Sequence, residues 1–212
     1  MNQGKVLLVN TSKGLLGEDN SALLGAFFLT KINQVAMARS RLHEADRKEF
    51  YLYVDEFQNA ATESFSSLFS ESRKFAINIT IANQYLAQIP PSLLEAIFGN
   101  VSTLISFRVG GSDGDRMAKE FMPRVEPSDL INLGTRDFYI KMSIDGQTMA
   151  PFSARTLDVV QTKQSYADAV VENSRRLYTQ PFITEDSNDF IEEQRVFPDT
   201  ASIEEELPPP II

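Results

Sequence analysis

The 212-residue sequence predicts an α/β fold, with a mostly parallel sheet, flanking helices and a C-terminal antiparallel hairpin. Three observations lead to this prediction. Short, continuous apolar runs alternate with segments of helical periodicity, as in parallel sheets covered by helices on both faces. The period then changes to two around Asp145-Gly146, a strong signal for a hairpin turn. Hydrophobic residues make up 42% of the chain, enough for the core that this architecture needs.

Predicted strands and helices follow one another along the chain. Each strand is a short run of bulky apolar residues, and each helix shows apolar spacing or has Pro and Gly at its ends. The predicted strands are residues 5–9, 50–54, 77–82 and 101–107. The predicted helices run up to Arg41, over 62–73, from Pro90-Pro91 to Gly99, over 113–121 and over 165–178. The hairpin begins where Phe138, Ile140, Met142 and Ile144 alternate with polar residues.

Three regions are predicted, namely a folded domain over 1–160, a C-terminal helix over 161–180 and an acidic tail over 181–212. Nine acidic residues and one basic residue lie between 183 and 206, so most of the net charge of −9 belongs to the tail. Such a composition, ending in "LPPPII", is typical of a disordered segment. We expect the tail either to bind a protein partner or only to be solvated. The nearly neutral remainder has no basic stripe for nucleic acid.

Composition also excludes several classes of protein. The absence of Cys and the single His argue against a disulfide scaffold and against a zinc site. The longest uninterrupted apolar runs, such as "SALLGAFFL", are shorter than the ~20 residues of a spanning helix, and the N-terminus has no signal-peptide pattern. We therefore expect a cytoplasmic protein whose membrane contacts, if it has any, come from outside this chain.

The stretch "FYLYVDEFQNA" carries an apolar strand directly into Asp55 and Glu56. Ligand sites in parallel α/β sheets lie at the carboxyl ends of the strands, so both carboxylates are expected at that edge. One carboxylate there can hold Mg²⁺ through its water shell, and its neighbour can orient a water for attack on a phosphoryl group. In the alternative interpretation, Asp55 and Glu56 only begin a loop, and their negative charges interact favourably with the positive end of the next helix.

Two polar residues further along support nucleotide chemistry. Gln84 follows the next predicted strand and places an amide where a γ-phosphate or its attacking water could be sensed. Arg73 lies at a helix end and is expected at the same edge of the sheet as Glu56 and Gln84, where it could reach the nucleotide of a neighbouring subunit. Each also has a structural alternative, because Arg73 complements its helix C-terminus and Gln84 can cap a turn.

Four segments together resemble the C-terminal half of the motor domain of conjugative coupling proteins. They are "VLLVNTSKGLLGEDNSALLGAFFLTKI", "FYLYVDEFQN", "ESRKFAINITIANQYLAQIP" and "ISFRVGGSDGDRMAKEF". These proteins belong to the HerA–FtsK superfamily of hexameric, DNA-pumping ATPases, and the likeness is strongest to the DNA-transfer ATPases of type IV secretion. The resemblance covers about residues 4–160 and implies a RecA-like P-loop NTPase fold, ATP and Mg²⁺ as cofactors, DNA as a partner and a homo-hexamer.

The same resemblance implies a role for individual residues. Asp55 is the Mg²⁺-binding residue of the Walker B strand, and Glu56 is the catalytic carboxylate. Arg73, in "SRK", matches the family's arginine finger, and Gln84 matches its sensor glutamine. Arg108 is a weaker candidate for contact with the nucleotide phosphates across a subunit interface, its alternative being a salt bridge at the sheet edge.

The sequence departs from the family in lacking a phosphate loop of the form G-x-x-x-x-G-K-[ST]. The expectation is that the chain is part of a longer protein, inactive as an ATPase by itself, whose missing N-terminal region attaches it to the inner face of the cell membrane. Two other functions stay open. One is a HerA-like DNA-processing ATPase, and the other is a non-hydrolysing interaction module that retains the RecA-like fold.

Overall fold

A computed structural model describes residues 1–62, 65–159 and 164–180. The chain divides into two compact units, Met1–Asp158 and Val159–Ile212. In the second unit the described structure is one helix, α7 (Ala167–Tyr178), close to the helix predicted over 165–178. The predicted acidic tail, 181–212, lies outside the described residues.

The first unit contains two sheets. Strands β1 (Phe50–Val54) and β2 (Ile77–Ile81) pair in parallel, with Leu52 opposite Ile79. The second sheet is antiparallel, and its long central strand β4 pairs with each of the other three. Its strands are β3 (Thr103–Ser106), β4 (Asp137–Ile144), β5 (Gln147–Thr148) and β6 (Phe152–Arg155). Parallel strands, an antiparallel hairpin and helices together confirm the α/β class.

Of the six α-helices described in this unit, four lie where the sequence predicts, and the short ones over Lys13–Leu16 and Pro127–Ile131 were not predicted. The six helices are α1 (Lys13–Leu16), α2 (Glu18–Ala38), α3 (Ser66–Glu71), α4 (Pro91–Asn100), α5 (Gly111–Phe121) and α6 (Pro127–Ile131). Helix α4 has Pro91 at its first position, where the missing N–H costs no hydrogen bond. Helix α3 is shorter than predicted, because a 3-10 turn over Ser72–Phe75 completes it before β2 begins.

The predicted first strand, residues 5–9, is wrong for the described structure. These residues form no strand, and Val6 and Leu8 are 85% and 75% exposed. Apolar composition favours a strand only where a neighbouring backbone is free to pair, and no described segment pairs with this one. Leu23 and Phe27 on α2 are exposed as well, which leaves an apolar surface at this end of the unit.

Two further predictions about the sheets are corrected. The strand predicted over 101–107 does not join β1 and β2, since β3 pairs antiparallel with β4. The parallel sheet is also not covered on both faces, because Tyr51 and Tyr53 alternate with buried Leu52 and lie 56% and 72% exposed. A short apolar run shows that a strand forms, but it does not identify the strand's neighbour.

The hairpin is confirmed, with its turn at the predicted residues. Asp145 and Gly146 both have positive φ, 51° and 77°, as a two-residue turn with the right twist for a hairpin requires. At the far end of β4, Arg155 of β6 donates to both carboxylate oxygens of Asp137, at 2.7 and 3.1 Å. The hydrogen bonds from Arg155 hold the pKa of Asp137 below its usual value.

Two separate groups of buried side chains form the core. The larger lies between the parallel sheet and helices α2, α3 and α4, and includes Leu29, Leu52, Phe57, Phe69 and Leu93. The smaller is built on α5 and α6 around Met117, Phe121 and Leu130. The larger group lies beneath the strands that carry the candidate site.

A buried arginine connects α2 to the amino ends of β1 and β2. Arg39 is 2% exposed, and its guanidinium donates to the carbonyls of Phe75 at 2.6 Å, Ala76 at 3.3 Å and Lys48. Burial, and secondarily the charge of Arg47, lower the pKa of Arg39. Because backbone carbonyls accept its hydrogen bonds, Arg39 links the helix to both strands with no acidic partner among the described residues.

The segment Glu18–Arg41 is long and apolar enough to cross a membrane, by length and composition only. Polar residues interrupt the apolar runs of this segment. The mean hydropathy of its most apolar window is nevertheless 1.2, high enough for a membrane-spanning helix. Core helices of globular domains pass the same test, although only 17% of this window is buried. Buried Leu29 and Ala36 pack this helix into the larger core group.

Candidate functional site

The candidate site lies at the carboxyl ends of β1 and β2. Backbone pairing continues past both strands, with Ala82 N–H donating to Val54 O at 2.9 Å and Phe57 N–H to Ala82 O at 2.9 Å. Residues that follow β1 are therefore held beside residues that follow β2. This is the edge at which parallel α/β sheets bind ligands.

Glu56 lies at a sharp turn in this segment. Its backbone is left-handed, with φ 50° and ψ 42°, and its N–H donates to Oδ1 of Asp55 at 2.9 Å. The next residue, Phe57, is buried and packs edge-on against Phe69, with ring centroids 5.8 Å apart. The turn thus inserts Phe57 into the core and leaves the carboxylate of Glu56 at the surface edge of the sheet.

Two glutamine side chains hold the carboxylate of Glu56. Gln84 Nε2 donates to Oε1, and Gln58 Nε2 donates to Oε2 at 2.6 Å. The structure therefore brings together Glu56 and Gln84, which the sequence predicted at the same edge. Gln58 was not anticipated, because the left-handed turn at Glu56, which brings the side chains of residues 56 and 58 together, has no signal in the sequence.

A cleft of about 420 Å³ opens beside this group. Its lining includes Glu56, Gln58, Gln84, Tyr85 and Lys13, the last from the start of α1. Lys13 pairs with Glu18 at 3.0 Å, and both side chains are exposed. The volume lies within the range of small-molecule sites, and the lining combines amides, the carboxylates of Glu18 and Glu56, a phenol and an ammonium group.

The loop that carries Gln84 is fixed from the other side by α5. Asp113, nearly buried near the start of α5, accepts a hydrogen bond from the backbone N–H of Leu86 at 3.1 Å. This contact joins positions 27 residues apart and has no local signal in the sequence. The position of Gln84 therefore depends on both the parallel sheet and α5.

Asp55 is exposed, and one of its oxygens accepts the N–H of Glu56. No group of three or more His, Cys, Asp or Glu side chains suited to a metal ion occurs in the described part of the chain. Mg²⁺ commonly takes one or two carboxylates and completes its shell with waters and substrate phosphates. The second oxygen of Asp55 therefore fits Mg²⁺ that arrives with a nucleotide, and a site made of protein ligands alone is not present among these residues.

Arg73 lies at the opposite end of the parallel sheet. It belongs to the 3-10 turn that precedes β2, whereas Gln84 follows β2. Five residues of strand separate the two ends by roughly 16 Å. The expected position of Arg73 at the same edge as Glu56 is therefore wrong, and its role as an arginine finger stays a prediction.

Arg108 follows β3 in the antiparallel sheet and is exposed. Within the described ranges its side chain has no hydrogen-bonding or ion-pair partner, so the alternative role in a salt bridge finds no support there. It does not line the cleft beside Glu56. Its contact with a nucleotide stays a prediction.

Comparison with known proteins gives matches among solved structures only. A scan against models of protein families finds no match, and a search of curated proteins finds no significant one. The bacterial conjugative coupling protein TrwBdeltaN70, in an unbound monoclinic form, matches with a TM-score of 0.50 and 14% identity. The plasmid coupling protein TrwB, in complex with the non-hydrolysable ATP analogue ADPNP, matches with a TM-score of 0.53 and 13% identity.

These matches cover 63% and 68% of this chain but only 38% and 39% of the two coupling-protein structures. The chain thus spans about two fifths of their length. At this level of sequence identity the likeness concerns the fold, which is α/β and RecA-like.

Proposed function

We propose that this chain forms the part of a DNA-moving ATPase that supplies the catalytic carboxylate and the sensor glutamine, as in conjugative coupling proteins. The contact between Glu56 and Gln84 at the carboxyl ends of β1 and β2 carries the proposal. It pairs a potential general base with an amide that can sense a phosphate. The fold likeness to a coupling protein that binds an ATP analogue supports the choice of nucleotide.

Each site residue has a chemical role in this proposal. Asp55 would supply a carboxylate contact to Mg²⁺, which would neutralise charge on the nucleotide phosphates when bound. Glu56 takes a proton from the attacking water as the water oxygen bonds to the γ-phosphorus and the bond to the bridging oxygen of ADP breaks. Gln84 reports on the γ-phosphate by turning from Glu56 toward it.

The nucleotide phosphates also need a cradle of backbone N–H groups and a lysine. Because the 212 residues contain no G-x-x-x-x-G-K-[ST] motif, that cradle belongs in this proposal to polypeptide other than the 212 residues. Lys13 is a single cation already paired with Glu18 and does not replace it. We therefore expect ATP hydrolysis only when a phosphate loop is supplied.

The proposal extends to partners that follow from the coupling-protein likeness. They are DNA as the transported polymer, five further copies in a homo-hexamer, and a protein that binds the acidic tail. The working location is the cytoplasmic face of the cell membrane. Arg73 acts across the subunit interface, and Arg108 contacts phosphate there.

The test measures Mg²⁺-dependent ATP binding and hydrolysis, with and without DNA. It uses the 212-residue chain and a form joined to any phosphate loop encoded upstream in frame. The joined form is expected to hydrolyse ATP, and Glu56→Gln is expected to lower kcat by about 10²-fold or more while sparing binding, because it removes the base.

Glu44→Gln is the matched control, since Glu44 is an exposed acid in another turn and lines no part of the cleft. It should leave both ATP binding and kcat unchanged. If no phosphate loop is encoded upstream and ATP does not bind, the proposal fails and the interaction-module function replaces it. Equal activity in Glu56→Gln and Glu44→Gln would also contradict it.

A further inference from the structure

The carboxylate of Glu56 is held at both oxygens by amides from different segments. Gln58 belongs to the 3-10 turn Phe57–Asn59 on the same segment as Glu56, whereas Gln84 follows β2. Each amide donates to one oxygen, so the plane of the carboxylate is set by the pair. A carboxylate with a donor at each oxygen is more strongly oriented than one held at a single oxygen.

The two amides differ in their surroundings. The Gln84 contact is exposed, and the Gln58 contact is partly buried. The Oε1 atom of Gln58 is buried, and no described residue donates to it. Reversing the amide would place that oxygen about 2.6 Å from a carboxylate oxygen, where the two would repel, so the donor orientation is fixed by chemistry.

We propose that Gln58 is a positioning residue for Glu56. By holding Oε2 from the partly buried side, it fixes the carboxylate and leaves Oε1 as the oxygen that receives the proton once Gln84 turns away. In this role Gln58, which also lines the cleft, acts through the carboxylate of Glu56. The inference rests on the proposed function for its catalytic consequence, while the orientation of Glu56 can be measured separately.

The first measurement is NMR of the side-chain NH₂ groups in the 212-residue chain. Gln58→Met keeps the length of the side chain and removes the donor. With Oε2 released, Glu56 should reorient, and the NH₂ signals of Gln84 should shift and broaden. Glu56→Ala should move the NH₂ signals of both glutamines. Unchanged Gln84 signals in Gln58→Met would overturn the inference, whatever the chain's enzymatic activity.

The second measurement is kinetic and uses the ATP-hydrolysing form. Gln58→Met is expected to lower kcat roughly ten- to hundred-fold, the usual effect of losing an orienting contact, with the Kd for Mg²⁺-ATP nearly unchanged. Gln34→Met is the control, because Gln34 is exposed on α2 and its side chain accepts a hydrogen bond from Lys31, away from the cleft. Thermal melts of both variants verify that they fold.

The outcomes separate the two proposals. If the wild-type form hydrolyses ATP and Gln58→Met matches Gln34→Met in kcat, the positioning role is refuted and the proposed function stands. If the wild-type form neither binds nor hydrolyses ATP, the proposed function fails, and the NMR result alone decides whether Gln58 orients Glu56.

Discussion

At Glu56 the backbone conformation and the side-chain chemistry favour different residues. A left-handed backbone costs a residue with a Cβ atom about 1–2 kcal/mol, and glycine avoids most of that cost. Glu56 nevertheless has φ 50°, with a carboxylate that two amides hold. Strain of this kind is typical of functional positions.

The first prediction compares two variants that both remove the Glu56 side chain beyond Cβ. Glu56→Gly should have a free energy of unfolding about 1 kcal/mol higher than Glu56→Ala, because only glycine relieves the left-handed strain. Its unfolding midpoint should therefore lie at a higher urea concentration. Equilibrium urea unfolding monitored by circular dichroism measures the difference. Glu44 does not have a positive φ, so at this position the alanine variant should be more stable than the glycine variant, by about 0.5–1 kcal/mol. Equal free energies of unfolding for Glu56→Gly and Glu56→Ala would show that the backbone at position 56 is not strained.

At the scale of strands, the end of the β4–β6 ladder is sensitive to acid. Asp137 and Arg155 are register partners, and hydrogen bonds from Arg155 lower the pKa of Asp137. A depressed carboxyl pKa means that the pair stabilises the folded state above the ordinary value of 3.8 and loses that effect as the pH falls below it.

The second prediction follows from the lowered pKa of Asp137. The carboxyl resonance of Asp137 should titrate below pH 3.8, and Asp137→Asn should remove the part of the acid destabilisation that falls in that window. NMR titration and thermal melts between pH 2 and 7 measure the two effects. Asp158→Asn is the control, since Asp158 pairs with Arg136 outside the ladder and no strand contains it. A titration at or above 3.8 for Asp137 would contradict the prediction.

The elements that the sequence predicted well carry their signals locally. The run at β1, the proline at the start of α4 and the Asp145-Gly146 turn each determine backbone conformation within a few residues. The strand predicted over 5–9 failed because a strand depends on a distant partner that local composition does not specify. The contact of Gln58 with Glu56 was missed for a related reason, since it depends on an unusual φ at Glu56. One rule did predict a contact between distant segments. Because the carboxyl ends of parallel strands meet at one edge of the sheet, Glu56 and Gln84 were expected close together.

For the whole molecule, Arg73 and Glu56 lie at opposite ends of the parallel sheet. An arginine that acts on a neighbouring subunit's nucleotide must project away from its own site, so this separation suits an arginine finger supplied between subunits. Head-to-tail assembly would then bring the amino edge of one sheet toward the carboxyl edge of the next.

The third prediction tests this arrangement by mixing inactive variants. Glu56→Gln and Arg73→Ala should each abolish hydrolysis in the ATP-hydrolysing form. Mixed hexamers should recover about a quarter of the wild-type rate, because random assortment leaves about that share of interfaces with an intact Glu56 and an intact Arg73. No recovery would show that the two residues act within one subunit or that Arg73 has only a structural role. Arg41→Ala serves as the control at another exposed arginine and should retain full activity.

The buried guanidinium of Arg39 limits where α2 can go. Moving this helix from the sheet would expose Leu29 and Ala36 and would remove the donor from the carbonyls of Phe75, Ala76 and Lys48. In a lipid environment those carbonyls would have no water to replace the lost donor, and the charge of Arg39 would travel with the helix. Arg39 and the buried residues Leu29 and Ala36 thus hold this helix against the sheet, and an attachment to a bilayer would have to leave it there.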